Sequence, residues 1–354
     1  MPLSERENYL RNATFRRPEW IPCQLYVSDA SWDQLRGELE AVAARHPTLF
    51  PDFGAGQRRE YDHFTFAPAQ KAGQDYTDAW GCTWSASIDG LEGIVHGNPL
   101  DDWCKLPGYR APDPEVQWDR GPADWQAAAE GVRAAKRAGR LASGGDYHGF
   151  FFLRLTYLRG FENLMLDMAG GVPELDRLID IVGAHNEAMT RRWLDLGIDL
   201  LNLADDLGSQ KAAVVGPRHF RRYLAAHYRS LVETAHSRGA LVAFHSDGYI
   251  MDIMDDLLRT GIDVVNPQDL VNGIDDLERQ VKGKCCIRLD IDRQEVIPFG
   301  SPAEIRALIE EEVRRLGSER GGLELVCGIY PPTPPENIDA VCSAMEAMST
   351  FWWP

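Results

Sequence analysis

The stretch Leu241-Val-Ala-Phe-His-Ser-Asp-Gly248 decides the fold. Four apolar residues, Leu241 to Phe244, are enough for a strand buried on both faces. They run without a break into His245, Ser246 and Asp247 before Gly248 turns the chain. Polar chemistry therefore stands where a strand stops. On an extended chain end, His245 and Asp247 are two positions apart and point to the same side, so both can face one ligand or ion. The same succession of strand, loop and amphipathic helix recurs on either side. It predicts a (β/α)8 TIM barrel whose functional groups collect at the carboxyl ends of the strands.

Toward the C-terminus, Ile262-Asp-Val-Val-Asn-Pro-Gln268 reads as a strand presenting Asn266 and Gln268, and a helix is expected over about 275–282. Cys285-Cys-Ile-Arg-Leu-Asp-Ile-Asp292 is a strand that closes on acidic residues, Asp290 among them. Ser301-Pro-Ala-Glu304 is a capping box, and Ile305, Leu308, Ile309, Val313 and Leu316 give the helix behind it an apolar face. The last strand, Leu323 to Val326, runs into Cys327-Gly-Ile-Tyr330, and a second capping box, Thr333-Pro-Pro-Glu336, opens a helix through Met348.

Toward the N-terminus, a helix is expected over Pro217 to Arg238, stopped by Gly239, and Ile198 to Ala204 is a strand delivering Asp205 and Asp206. A long helix starts with Pro173 in its first turn, and a short one is expected over 158–168. Phe150-Phe-Phe-Leu-Arg-Leu-Thr156 reads as a buried strand behind a helix over Pro122 to Leu141. From 51 to 114 the pattern loosens into an irregular insertion expected to cover the barrel mouth, with strands or a hairpin over 75–88. Trp80 and Trp84 there serve either core packing or substrate stacking. Before it come a helix from Trp32 to Arg45, a first strand at Ile21 to Val27 and a short helix at residues 5–11. Eight strands result if 75–88 supplies one, and the 354 residues then form a single barrel domain, 1–354.

Charge excludes some partners. Fifty-four acidic against 37 basic residues, a net of −17, argues against nucleic acid or an anionic membrane. With no long apolar run and a polar, charged beginning, the expected location is the cytoplasm. The seven cysteines are scattered without a Cys-x-x-Cys pair, so neither a disulfide framework nor a four-thiolate zinc site is indicated.

The mouth is expected to be ringed by Asp205, Asp206, His245, Asp247, Asn266, Gln268, Asp290, Asp292 and Cys327. Carboxylate, imidazole and thiolate together are a ligand set for catalytic zinc, which takes three protein ligands and keeps one position open; His245, Asp247 and Cys327 make such a set. The catalytic candidates are Asp205, Asp206 and Tyr330, and the substrate-binding candidates are Trp80, Asn266, Gln268 and Asp290. For the carboxylates, support of His245, helix capping and substrate contact stay open.

The chain resembles the uroporphyrinogen decarboxylase superfamily, and within it the branch of cobalamin-dependent methyltransferases. The likeness rests on Arg6-Glu-Asn8, Trp20-Ile-Pro22, Asp78-Ala-Trp-Gly81, Asp205-Asp-Leu-Gly208, His245-Ser-Asp-Gly248, Gly261 to Gln268 and Pro334-Pro-Glu-Asn-Ile338. The resemblance implies a (β/α)8 barrel and a zinc held through His-x-Cys-Gly and a later Cys-Gly. This sequence matches at His245, Gly248, Cys327, Gly328, Thr333, Pro334, Glu336 and Asn337, and carries Asp247 where the family has cysteine. Carboxylate is harder than thiolate and leaves the metal more electrophilic.

The expected function is methyl transfer between a small-molecule substrate and a corrinoid or tetrahydrofolate carrier. The corrinoid would arrive on a separate protein, since the Asp-x-His-x-x-Gly motif of corrinoid domains is absent. Two other readings stand beside it. One is a uroporphyrinogen-type decarboxylase, although Ser28-Asp-Ala-Ser-Trp32 follows the first strand where those enzymes carry a basic loop; the other is a ligand-binding barrel that has lost its metal.

Overall fold

The computed structural model describes residues 3–51, 53, 60–61, 65–145 and 149–353. Its centre is a seven-stranded parallel sheet of β1 (Cys23–Val27), β2 (Ser143–Gly145), β3 (Leu200–Ala204), β4 (Leu241–Ser246), β5 (Val264–Pro267), β6 (Cys286–Asp290) and β7 (Leu323–Ile329). The spatial order is β1-β7-β6-β5-β4-β3-β2. Helices connect most successive strands, the longest being Pro173–Asp195, and among the described residues no helix is long and apolar enough to cross a membrane.

Register shows that the sheet curls. Arg288 on β6 donates through Nη1 to Asn202 Oδ1 on β3 at 3.1 Å, although β5 and β4 lie between them. In a flat sheet those strands would stand about 14 Å apart, beyond what one side chain spans. The sheet therefore curves around its concave face, where Arg288 also bonds Glu324 at 2.7 Å and the Tyr9 hydroxyl at 2.7 Å. Residues of opposite parity, Leu201, Val242, Phe244, Val265, Ile287, Leu289 and Leu325, face the helix layer and form the main apolar core.

The fold departs from the sequence expectation at four places. Residues 75–88 supply no barrel strand: Asp75–Thr77, Thr83–Ser85 and Ile94–Gly97 make a separate antiparallel sheet. The seventh strand is instead β2, whose sequence Ser143-Gly-Gly145 carries no hydrophobic signal. Its glycines are steric requirements. A Cβ on Gly144 would lie 2.3 Å from the Trp193 ring, and one on Gly145 2.1 Å from the Asn202 carbonyl oxygen. Among the described residues no ladder joins β1 to β2, so the sheet shows seven strands rather than the eight expected.

Phe150 to Thr156 is not a strand. Helix Phe152–Arg159 occupies it, because the buried Asp205 carboxylate accepts the first-turn amides of Phe152 (2.5 Å) and Leu153 (2.7 Å). An apolar run of that length suits either state, and a distant carboxylate decides it. The helix expected from Trp32 to Arg45 is two, Asp29–Leu35 and Gly37–Arg45, broken at Arg36 with φ of 43°. The capping box at Ser301 and Glu304 forms, but Thr333 caps nothing: its hydroxyl donates to the Tyr330 carbonyl at 2.7 Å, and helix Pro335–Met348 starts without a side-chain cap.

Candidate functional site

Two glycine loops set the site. Gly208 after β3 and Gly248 after β4 pack backbone to backbone, so closely that a Cβ on Gly248 would meet the Gly208 carbonyl carbon at 2.4 Å. Gly248 also has φ of 78°, which favours glycine. The contact joins the Asp206 and Asp247 loops: the Asp247 amide donates to Asp206 Oδ1 at 3.1 Å, and the Gly208 amide to the Asp247 carbonyl at 3.2 Å. Gln268 fixes the same turn from β5 by accepting the Gly248 amide at 2.8 Å.

The orientation of His245 follows from its neighbours. Asn266, its register partner on β5, donates through Nδ2 to the Arg288 carbonyl at 2.6 Å, and a carbonyl can only accept. Asn266 Oδ1 therefore faces His245 Nδ1, 2.8 Å away, as an acceptor, and Nδ1 carries the hydrogen. His245 Nε2 is left toward Asp247 Oδ1 at 3.3 Å and Asp206 Oδ1 at 3.9 Å. Burial disfavours charging this imidazole, but the bond to Asp247 and the charges of Asp247, Asp290 and Asp206 prevail and raise its pKa to about 9. The proton on Nε2 thus sits in the direction a cation would take.

Arg293 completes the cluster. Its Nη2 bonds Asp247 Oδ1 and lies 3.1 Å from Asp290 Oδ2, while Nη1 lies 3.4 Å from the Tyr330 hydroxyl. Nothing in the sequence reading singled it out. The available signal was its position three residues beyond Asp290, where a loop arginine can fold back onto a strand-end carboxylate.

Among the described residues, the histidine, cysteine and carboxylate side chains that converge on one point are Asp206, His245 and Asp247, whose ligand atoms lie within 4.8 Å of one another. Cys327, expected as the third metal ligand, is elsewhere. Along β7 it shares parity with Leu323, Leu325 and Ile329, and pairs in register with Leu25. Glu324, of the other parity, points to the concave face at Arg288, so Cys327 faces the helix layer, buried beside Cys342. Burial holds its thiol well above the usual range. Asp206, expected as a catalytic candidate, stands in the cluster with His245 and Asp247.

Other expected site residues fall into two groups. Asn266, Asp290 and Tyr330 are at the cluster as described. Asp205 is of outward parity and fully buried; burial raises its pKa to about 6, against the bonds from Leu153, Phe152 and the Tyr228 hydroxyl at 2.8 Å. Its carboxylate anchors helix Phe152–Arg159. Asp292 likewise caps a turn, accepting from Gln294 and Glu295, both at 3.0 Å. Trp80 is buried in another cluster, its ring against His185 at 4.6 Å and its Nε1 donating to Asp119 at 2.7 Å.

The residues present fit one divalent cation on their donor chemistry: two carboxylates and an imidazole whose tautomer is preset by a hydrogen bond to its other nitrogen. Charge agrees with this, since three carboxylates outnumber the basic groups beside them: Asp206 and Asp247 face His245, and Asp247 and Asp290 face Arg293.

Comparison with known proteins adds a family and a fold. A family model described as Uroporphyrinogen decarboxylase (URO-D) matches residues 125–348, more than half of the chain. A methyltransferase from Methanosarcina mazei superposes with a TM-score of 0.69 at 16% identity, covering 98% of this chain and 99% of that one. Weaker likenesses are to a B12-independent methionine synthase from Shewanella sp. W3-18-1 (TM-score 0.41, 12% identity, 65% and 66% covered) and a D-psicose 3-epimerase from Clostridium cellulolyticum H10 (0.37, 9%, 64% and 83%). No curated protein sequence matches the chain.

Proposed function

The chain belongs to the uroporphyrinogen decarboxylase family, and from that premise we propose that it is a cation-dependent methyltransferase-type enzyme in which His245, Asp206 and Asp247 hold one zinc ion. Methyl transfer runs between a small substrate and a corrinoid or folate carrier. The observation that carries the reading is the commitment of His245 Nδ1 to Asn266, which leaves Nε2 with two carboxylates. When bound, zinc supplies Lewis acidity toward a substrate heteroatom. Asn266 keeps the imidazole in the binding tautomer, the Asp247 amide orients Asp206, and Arg293 with Tyr330 offers hydrogen bonds to the rest of the substrate.

Elemental analysis and zinc titration of the purified chain test this. About one equivalent is expected, lost in His245→Ala and strongly weakened in Asp206→Asn, and kept in Cys327→Ser. Zinc retained by His245→Ala, or lost in Cys327→Ser with the fold intact, would overturn the ligand assignment.

Decarboxylation is a second reading because Arg293 is a guanidinium already engaged with carboxylates at the mouth. Ser28, after β1, stands where a basic loop would be expected and instead caps helix Asp29–Leu35. Conversion of uroporphyrinogen to coproporphyrinogen by the purified chain would put this reading first.

A further inference from the structure

Two positive groups contend for one oxygen. Asp247 Oδ1 lies 3.3 Å from His245 Nε2, and the same atom accepts the bond from Arg293 Nη2. A cation seated between His245 and Asp247 draws on that oxygen and repels the guanidinium beside it. Arg293 has somewhere to go. Its Nη2 is already 3.1 Å from Asp290 Oδ2, its Nη1 is 3.4 Å from the Tyr330 hydroxyl, and its guanidinium carbon sits 5.5 Å from the Tyr330 ring centroid.

Beyond Tyr330 lies Tyr26, 53% exposed, its ring 6.0 Å away and tilted by 48°. The wall next to Arg293 is thus aromatic and reaches solvent. Asp206, Asp247 and Asp290 outnumber the two basic side chains among them, His245 and Arg293, and the excess negative charge repels an anion; one divalent cation offsets it.

We propose that Arg293 and Tyr330 form a carboxylate-binding subsite that opens when the cation binds, and that the substrate is a small carboxylic acid with an apolar or aromatic body. The proposal rests on the cation reading above. The planar guanidinium pairs a carboxylate in two-point fashion, the Tyr330 hydroxyl adds a third donor, and the Tyr26 and Tyr330 rings cover the body of the acid. Because the cation and the acid favour the same placement of Arg293, each tightens the other's binding by an equal factor.

The test is calorimetric, on the full chain stripped of metal or loaded with zinc, with benzoate as the probe and benzamide as its neutral counterpart. Benzoate is expected to bind at least about tenfold more tightly to the zinc-loaded chain, a factor within the usual span of coupling between sites, and benzamide to show no such gain. Arg293→Met is expected to keep zinc and lose the gain, Arg293→Lys to keep part of it, and Tyr330→Phe, which retains the ring, to weaken it without abolishing it. Circular dichroism verifies that each variant is folded.

Equal benzoate affinity with and without zinc overturns the subsite while leaving the cation reading intact. A gain undiminished in both Arg293→Met and Tyr330→Phe also overturns it, since the acid would then be on the metal alone. A wild-type chain that takes up no zinc overturns both.

Discussion

Asn266 donates to a carbonyl on β6, and that single bond decides which nitrogen of His245 faces the carboxylates. Removing the amide in Asn266→Ala frees the ring to adopt the other tautomer. Zinc affinity is expected to fall about 10- to 100-fold, the usual effect of losing the partner of a ligating histidine, with the circular dichroism spectrum unchanged. Titration calorimetry reads this directly. A second histidine reports on packing instead. His227 lies against Phe151 with ring centroids 3.9 Å apart, and burial lowers its pKa to about 4. In the unfolded chain it titrates near 6.5, so the unfolded state binds the extra proton first as pH falls. Its stabilising contribution is complete above about pH 6.5 and is lost toward pH 4, by up to ~3 kcal/mol. Urea denaturation at a series of pH values should show a shallower acid slope for His227→Gln than for the parent chain.

At the scale of elements, the site depends on places where backbone meets backbone or ring. Gly144 is the clearest case, since β2 lies against Trp193 of helix Pro173–Asp195 with no room for a methyl group. Gly144→Ala is expected to cost about 1–3 kcal/mol through overpacking, measured as a fall in the urea midpoint. The change should disturb β2 and its neighbour β3, and hence the loop carrying Asp205 and Asp206. Asp205 belongs to the same scale: a strand-end carboxylate collects the amides of helix Phe152–Arg159 and so ties β3 to the segment after β2.

Across the whole molecule, the curled sheet encloses a polar interior as well as an apolar shell. Arg288, mostly buried, joins Glu324, Tyr9 and Asn202 beneath the His245 cluster, and its own carbonyl holds Asn266. Arg288→Met leaves Glu324 buried without its counter-charge. The expected cost is about 3–5 kcal/mol, visible as a lower unfolding midpoint, and the Glu324→Gln, Arg288→Met double variant should recover part of it. A lesion there is also expected to loosen the His245 cluster above it, which links stability to the candidate site through one residue.

His245, Asp247 and Asp206 were legible in the sequence because strand ends announce themselves: an apolar run stops, a polar group follows, and glycine turns the chain. Most of the parallel strands and the Ser301 capping box were legible for the same reason, since period and caps are local properties. What lay beyond local reading was settled by contacts between distant segments. Gly-rich β2 takes its strand conformation from neighbouring β3, and Phe152–Arg159 takes its helix from a carboxylate some fifty residues later. Cys327 differs again, for its chemistry suited a ligand while its parity on β7 turned it to the helices. The sequence by itself determined the α/β class and put His245, Asp247 and Asp206 at strand ends. Only the tertiary structure gathered those three into one cluster, turned Cys327 to the helix layer and brought in Arg293, because which face a side chain occupies depends on register against strands far away in the chain.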